Sequence, residues 1–371
     1  MKRIGFFGLA LVLGFSALAK DWPIFRGNRG LTGVAPGKLP DKLALQWKFK
    51  IAKFSKASAV IANGHVFVGD DDGRFVSLNL STGKRAWEFK VEAPIEASAM
   101  VLDGRVYFGD LDGFAYCLDA KTGEQIWKFE TKDKITGGPN WQLAPDGKTK
   151  QVLFGSHDFF LYCLDAVKGE KVWEYESENF INGSPAITDH FTMFGGCDAL
   201  LHVINVKTGK AAHKPIEAES YIIGSVAADA GRVYVGHRDN EVLCIDLKQK
   251  KIAWKYKERA FPYESSPALT KDRVLIGGGD KRLHCLDRKT GEQVWTFATR
   301  GAVNSSPVVV DDKVLVGSAD NRLYMVNLKT GKRIWSYETG DEISASPAVS
   351  SERVVISSSD GFLYCFGAKD K

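Results

Sequence analysis

From Leu43 onward the chain runs in bursts of six or seven residues rich in Val, Ile, Leu, Phe and Tyr, broken by turns of Gly, Asp, Asn, Ser and Thr. The bursts are too short for helices, and their branched and aromatic composition suits pleated strands. "NSSPVVV" (Asn304–Val310), "KVLVGS" (Lys313–Ser318), "RLYMVNL" (Arg322–Leu328) and "RIWSYE" (Arg333–Glu338) follow one another. They predict four antiparallel strands linked by hairpins.

This group of four recurs. Trp47, Trp87, Trp127, Trp173, Trp254, Trp295 and Trp335 each precede an aromatic residue by two positions, and His213 fills the slot between Trp173 and Trp254. Successive steps are 40, 40, 46, 40, 41, 41 and 40 residues, a period typical of propeller blades. Small residues recur in step, as in Ala57-Ser58-Ala59, Gly183-Ser184-Pro185 and Ser305-Ser306-Pro307, which suits strands converging on an axis. The last of the eight units stops at "FGAKDK", where its fourth strand should begin, and an orphan fourth strand, "LALQWKF", surrounds Trp47. Pairing the two closes a ring and removes open sheet edges. The reading is all-β: an eight-bladed β-propeller of four-stranded antiparallel blades over residues 43–371, its last blade closed by the N-terminal strand.

Within that frame the seven tryptophans are expected to dock each blade on the next, and His213 to mark a weaker joint. The Thr-Gly pairs before the fourth strands, such as Thr82-Gly83 and Thr330-Gly331, meet the positive φ of a tight turn. Lys250 replaces the glycine in one of them. Asp72, Asp112, Asp158, Asp198, Asp239, Asp280, Asp320 and Asp360 recur in every blade and read as turn-capping carboxylates.

The start of the chain differs. Lys2 and Arg3 precede the apolar run "IGFFGLALVLGF", and Ala17-Leu18-Ala19 supplies small residues for cleavage, so residues 1–19 read as an export signal. The run falls short of the ~20 residues that span a bilayer. Residues 20–42 form an N-terminal extension. Removing the leader lowers the formal charge from +5 to +3, spread along the chain, unlike the basic stripe of a nucleic-acid binder. A periplasmic or secreted monomer is expected, with no transmembrane segment after cleavage.

The pattern Asp-x-x-(aromatic or Leu)-x-x-hydrophobic-(Asp/Asn)-x-x-Thr-Gly-(Lys/Glu)-x-x-Trp resembles the pyrroloquinoline quinone-type (PQQ-like) propeller repeat. "DWPIFRGNRGLTG" resembles the opening of exported bacterial members. That superfamily includes quinoprotein dehydrogenases and the non-catalytic BamB-type subunit of the outer-membrane β-barrel assembly machinery. The dehydrogenases carry adjacent cysteines, acidic and Asn ligands for calcium, and a catalytic Asp. Here Cys117, Cys163, Cys197, Cys244, Cys285 and Cys365 are never adjacent, and no Cys-x-x-Cys-His occurs. The resemblance therefore implies an exported non-enzymatic scaffold without a cofactor, binding envelope proteins or peptides in outer-membrane protein assembly. A PQQ- and calcium-dependent oxidoreductase and a carbohydrate- or small-ligand-binding propeller are the alternatives.

No catalytic, cofactor-binding or metal residue is assigned. Five cysteines share one third-strand position in different blades, beyond the ~7 Å reach of a disulfide, and are expected as free buried thiols. The histidines show no metal-ligand spacing. Function is expected where the blades differ. Two positions before the middle residue of the small-residue motif stand Lys56, Glu96, Thr136, Asn182, Ile223, Glu264, Asn304 and Ser344, at one mouth of the channel. The candidate binding face is Glu96, Trp141, Asn182, His237, Arg238, Tyr263, Glu264 and Asn304, with Tyr221 and Phe261 nearby. Trp141 is placed at this mouth beside the six-residue expansion of the third unit.

Overall fold

The computed structural model describes residues 21–52, 56–350 and 352–369, so the expected leader lies outside the described residues. Eight sheets, each built on four antiparallel strands, form the ring. In blade 1 the strands Val60–Ala62, His65–Gly69, Arg74–Asn79 and Arg85–Lys90 run in order from axis to rim. Blade 8 takes its outer strand, Ala44–Lys50, from the start of the propeller sequence; Trp47 pairs with Cys365 and Phe49 with Leu363. The split unit closes the ring as the sequence predicted.

One contact, repeated, joins the blades. In each tryptophan-bearing outer strand a bulge falls just before the tryptophan, and such a bulge re-aims the side chain. Indole Nε1–H groups then donate across the seam: Trp47 to the Leu80 carbonyl (2.8 Å), Trp173 to Val206 (3.1 Å) and Trp295 to Leu328 (2.9 Å). Trp87, Trp127 and Trp254 do the same to Ala120, Ala166 and Arg288. Each of these indoles also packs on the turn glycine of the neighbouring blade. A Cβ on Gly83 would stand 2.7 Å from the Trp47 ring, and one on Gly291 2.6 Å from Trp254. The glycines thus serve twice, through a positive φ (69° at Gly83, 79° at Gly291) and through the room they leave.

His213 of blade 4 and Lys250 of blade 5 belong to one seam. That seam lacks both halves of the contact, and the outer strand of blade 4 is split into Lys210–Ala211 and Ile216–Glu217.

Near the axis the small residues do more than fit. Backbone N–H groups donate around the ring from Ser184 to Ser225 Oγ (2.8 Å), Ser225 to Ser266 (3.0 Å), Ser266 to Ser306 (3.0 Å), Ser306 to Ser346 (3.2 Å) and Ser346 to Ser58 (2.8 Å). Buried donors that the ladders do not reach find partners there.

The extension closes the far end of the axis. Ile61, Val101, Ile187, Ala228, Leu269 and Val309 share one inner-strand position in six blades. Their N–H groups donate in turn to the carbonyls of Trp22, Pro23, Arg29, Gly30, Thr32 and Gly33. Asn140 of blade 3 also donates to Arg29 O (2.8 Å), and Val34–Ala35 adds a parallel strand to blade 7. Arg26, 1% exposed, donates to the Pro267 (3.0 Å) and Pro307 (2.6 Å) carbonyls. Burial pulls its guanidinium down to about 9, which leaves it charged at neutral pH.

The repeated aspartate caps its turn in blades 3, 4 and 8, where Asp158, Asp198 and Asp360 accept the N–H groups of Phe160 (3.1 Å), Leu200 (3.1 Å) and Phe362 (3.0 Å). In blades 6 and 7 Asp280 and Asp320 instead meet side chains of the third strand, His284 (3.1 Å) and Tyr324 (2.7 Å). Blades 1, 2 and 5 correct the sequence reading. Asp72, Asp112 and Asp239 are exposed, and the buried caps are Asp70, Asp110 and His237, two residues earlier. From there Asp70 accepts the N–H groups of both Asp72 (3.0 Å) and Arg74 (2.8 Å).

Trp295→Ala should cost about 3–5 kcal/mol and Gly331→Ala about 1–3 kcal/mol in denaturant unfolding. Because both remove the same contact, the double variant should lose less than the sum.

Candidate functional site

The ring of unlike residues does line one cavity. Lys56, Glu96, Thr136, Asn182, Ile223, Glu264, Asn304 and Ser344 surround a channel of about 190 Å³, with the serine ring in its wall and Phe25 of the extension also lining it. Two ion pairs bridge adjacent blades at this mouth, Lys56–Glu96 (3.1 Å) and Arg238–Glu264 (3.3 Å). The hydrogen bond to Glu96 raises the Lys56 ammonium above its ordinary range. Pairs this exposed contribute at most about 1 kcal/mol to folding. Asn182 Nδ2 reaches Cys197 Sγ (3.0 Å), and the Thr136 hydroxyl donates to Asn182 O (3.1 Å).

Of the eight candidate residues the structure gathers Glu96, Asn182, Glu264 and Asn304 in the wall, with Arg238 paired beside them. It does not bring the other three to this surface. Trp141 lies on the inner strand Asn140–Leu143 at the inner-strand position that meets the extension, under Arg29 (4.8 Å) and near Lys150 (5.1 Å). Its repeat position is that of Ile61 and Val101, at the far end of the channel. Tyr263 is 2% exposed and takes the buried slot that Ile95, Ile135, Ile181 and Ile222 fill in other blades. His237 is 1% exposed. Its Nδ1 accepts the Asp239 N–H (3.1 Å), so the proton of the neutral ring sits on Nε2, facing Glu241 at 3.6 Å.

Sequence reading missed two aromatics. Phe159 and Phe180, with rings 5.4 Å apart, are exposed along with Tyr221 and Phe261. All four sit in loops on the mouth side of blades 3 to 6. The equivalents of Phe180 and Tyr221 in blades 7 and 8 are Ala302 and Glu342. For Phe180 the signal was an aromatic four residues before the motif serine, shared with Tyr221 and visible once the repeats are aligned. Phe159 stands in the turn between the second and third strands of blade 3, outside that register.

Glu258, Asp280 and His284 offer ligand atoms within 4.8 Å of one another, a grouping the histidine spacing did not suggest. Both ring nitrogens of His284 are engaged, Nε2 by Asp280 (3.1 Å) and Nδ1 by Tyr256 (3.1 Å). Blade 4 repeats this with Asp198, His202 and Tyr175. Two copies in two blades mark an inter-blade hydrogen-bond relay. The six cysteines are free, five of them buried; burial pushes the thiols of Cys117, Cys163, Cys285 and Cys365 up to about 12.

These features define an eight-bladed propeller with one capped end and one polar, aromatic-flanked mouth. A family described as outer membrane protein assembly factor BamB matches residues 41–256 and 217–370, and the chain belongs to it. No curated protein shows significant sequence similarity. BamB from Moraxella catarrhalis is 19% identical, with a TM-score of 0.73 over 89% of this chain and 99% of that one. A quinohemoprotein alcohol dehydrogenase from Comamonas testosteroni is 14% identical, with a TM-score of 0.81 over 95% and 81%. The computationally designed Ika8 protein, 15% identical, gives 0.73 over 87% and 99%. At these identities the likeness establishes the fold.

Burial lowers His157 and His237 below the ordinary 6.5. Unfolding then takes up protons, so their contribution to stability is present above 6.5 and is lost as pH falls below it. Asp70, Asp71 and Asp110, raised by burial above 3.8, act in the opposite sense at lower pH. Melting temperature should drop between about pH 7.5 and about pH 5.5, and a His157→Gln/His237→Gln variant should show a flatter profile.

Proposed function

We propose that the protein is a non-enzymatic scaffold of the bacterial envelope that holds polypeptide partners on its mouth face, in outer-membrane protein assembly. The observation that carries this reading is the arc of exposed aromatics, Phe159, Phe180, Tyr221 and Phe261, on the mouth side of blades 3 to 6, with the Arg238–Glu264 pair between blades 5 and 6. Rigid aromatic anchors beside an arginine are the side chains that dominate protein interfaces. Family membership and the apolar leader sequence support the placement in the envelope. Against a quinone stands the channel itself. Its ~190 Å³ falls below the ~300 Å³ of small ligand pockets, and Phe25 occupies part of its wall. Glu96 and Glu264, which could serve calcium, are each committed to a cation of a neighbouring blade.

Replacing Tyr221 and Phe261 by Ala and Arg238 by Glu should leave the melting temperature unchanged while abolishing crosslinking to envelope proteins in cells. Wild-type crosslinking by that variant, or a chromophore formed when PQQ and calcium are added to the purified protein, would contradict the reading.

A further inference from the structure

The seam between blades 4 and 5 is the one where the repeat changes on both sides. Six other seams are filled by an indole that packs on a glycine and donates to a carbonyl. Here His213 stands in place of the tryptophan and turns its Nδ1 to Lys214 O (2.8 Å). Lys250, at φ 56°, carries a Cβ where the other turns leave room for a ring. Leu247 holds the position of the carbonyl acceptors Leu80 and Arg288. The outer strand of blade 4 breaks between Ala211 and Ile216, and a recess of about 530 Å³ remains. Pro215, Ile216 and Ile252 give it apolar walls.

Its surroundings are strongly basic. Lys214 of blade 4 and Lys250 and Lys251 of blade 5 line the recess together with Glu217, and these three lysines are exposed, as are Lys207, Lys210 and Lys248 nearby in sequence. Among the described residues none of these six forms an ion pair, whereas nearby Lys255 and Lys257 are paired with Glu219 and Glu241. Glu217 and Asp246 are the acidic residues of the two strands and their turn, and Asp246 is engaged by the Gln249 N–H (2.8 Å).

We propose that this recess is a docking site for an acidic, extended segment of a partner protein, which sets aliphatic side chains between Pro215, Ile216 and Ile252 and carboxylates against the lysines. Charge complementarity selects an acidic partner. The apolar walls select a polypeptide, because a flat anionic membrane could meet the lysines but would bring no side chains to pack on Pro215, Ile216 and Ile252. The site lies at the rim, apart from the channel mouth, and rests on the scaffold reading only in taking a protein as its partner.

The test uses the purified protein and a short fluorescein-labelled peptide of alternating Glu and Leu, followed by anisotropy. Binding should weaken as salt is added, since screening acts on exposed charges. A peptide of alternating Lys and Leu should not bind. Lys214→Glu/Lys251→Glu should weaken binding by at least about tenfold. His213→Trp/Lys250→Gly, which rebuilds the seam of the other blades, should raise the melting temperature and also abolish binding. Arg238→Glu at the mouth should bind the peptide as the wild type does, which separates this site from the mouth. Undiminished binding to the rebuilt seam would overturn the proposal. So would phosphatidylglycerol vesicles binding through these lysines while the acidic peptide fails to bind.

Discussion

A four-stranded blade is marginal alone and buries its faces against its neighbours, so the ring depends on the seam between them. That seam is a single side-chain event: an indole from one outer strand, aimed by a bulge, packed on a glycine turn and bonded to the next carbonyl. Tryptophan suits it because one residue brings both a large apolar face and a fixed N–H donor. Glycine suits it because no other residue combines a positive φ with room for the ring. Sequence period, turn chemistry and packing thus agree at six of the joints, which is the consistency expected of a foldable sequence.

Regularity of that kind gives stability but no recognition, so what distinguishes this protein from a symmetric ring lies in its departures. The extension crosses the inner strands blade by blade and caps one end of the axis with Trp22 and the buried Arg26. That leaves the other mouth as the accessible end of the channel. There the aromatics of blades 3 to 6 break the symmetry around Arg238 and Glu264. The altered seam falls on the same half of the ring. Structural likeness to a dehydrogenase and to a designed protein alike shows how little the fold by itself says about activity.

Much of this was legible in the sequence because repetition aligns every blade with every other. Glu96, Asn182, Glu264 and Asn304 were placed in the channel wall from their offset to the serine motif alone. Trp141 was misplaced because it sits beside the six-residue expansion, and that irregularity drew attention to loops when its offset to Gly138 marks an inner strand. Tyr263 looked like a surface aromatic, yet its repeat position belongs to isoleucines pressed into the core. Asp72 and Asp112 matched the motif, but the "DDDG" and "DLDG" turns offer an earlier carboxylate that lies closer to the turn's N–H groups. The course of residues 21–35 was illegible, since its bonds are made by carbonyls, which every residue carries.

The tryptophan–glycine contact is the lock of the six seams that carry it. Hydrogen–deuterium exchange of the outer strands tests this directly, because amides in a sealed edge open less often than those in an unsealed one. Amides in 210–217 should exchange markedly faster than those in 85–90, 125–130, 171–176 and 293–298, with the difference disappearing once the missing tryptophan and glycine are restored. Equal protection of all outer strands in the native protein would contradict it.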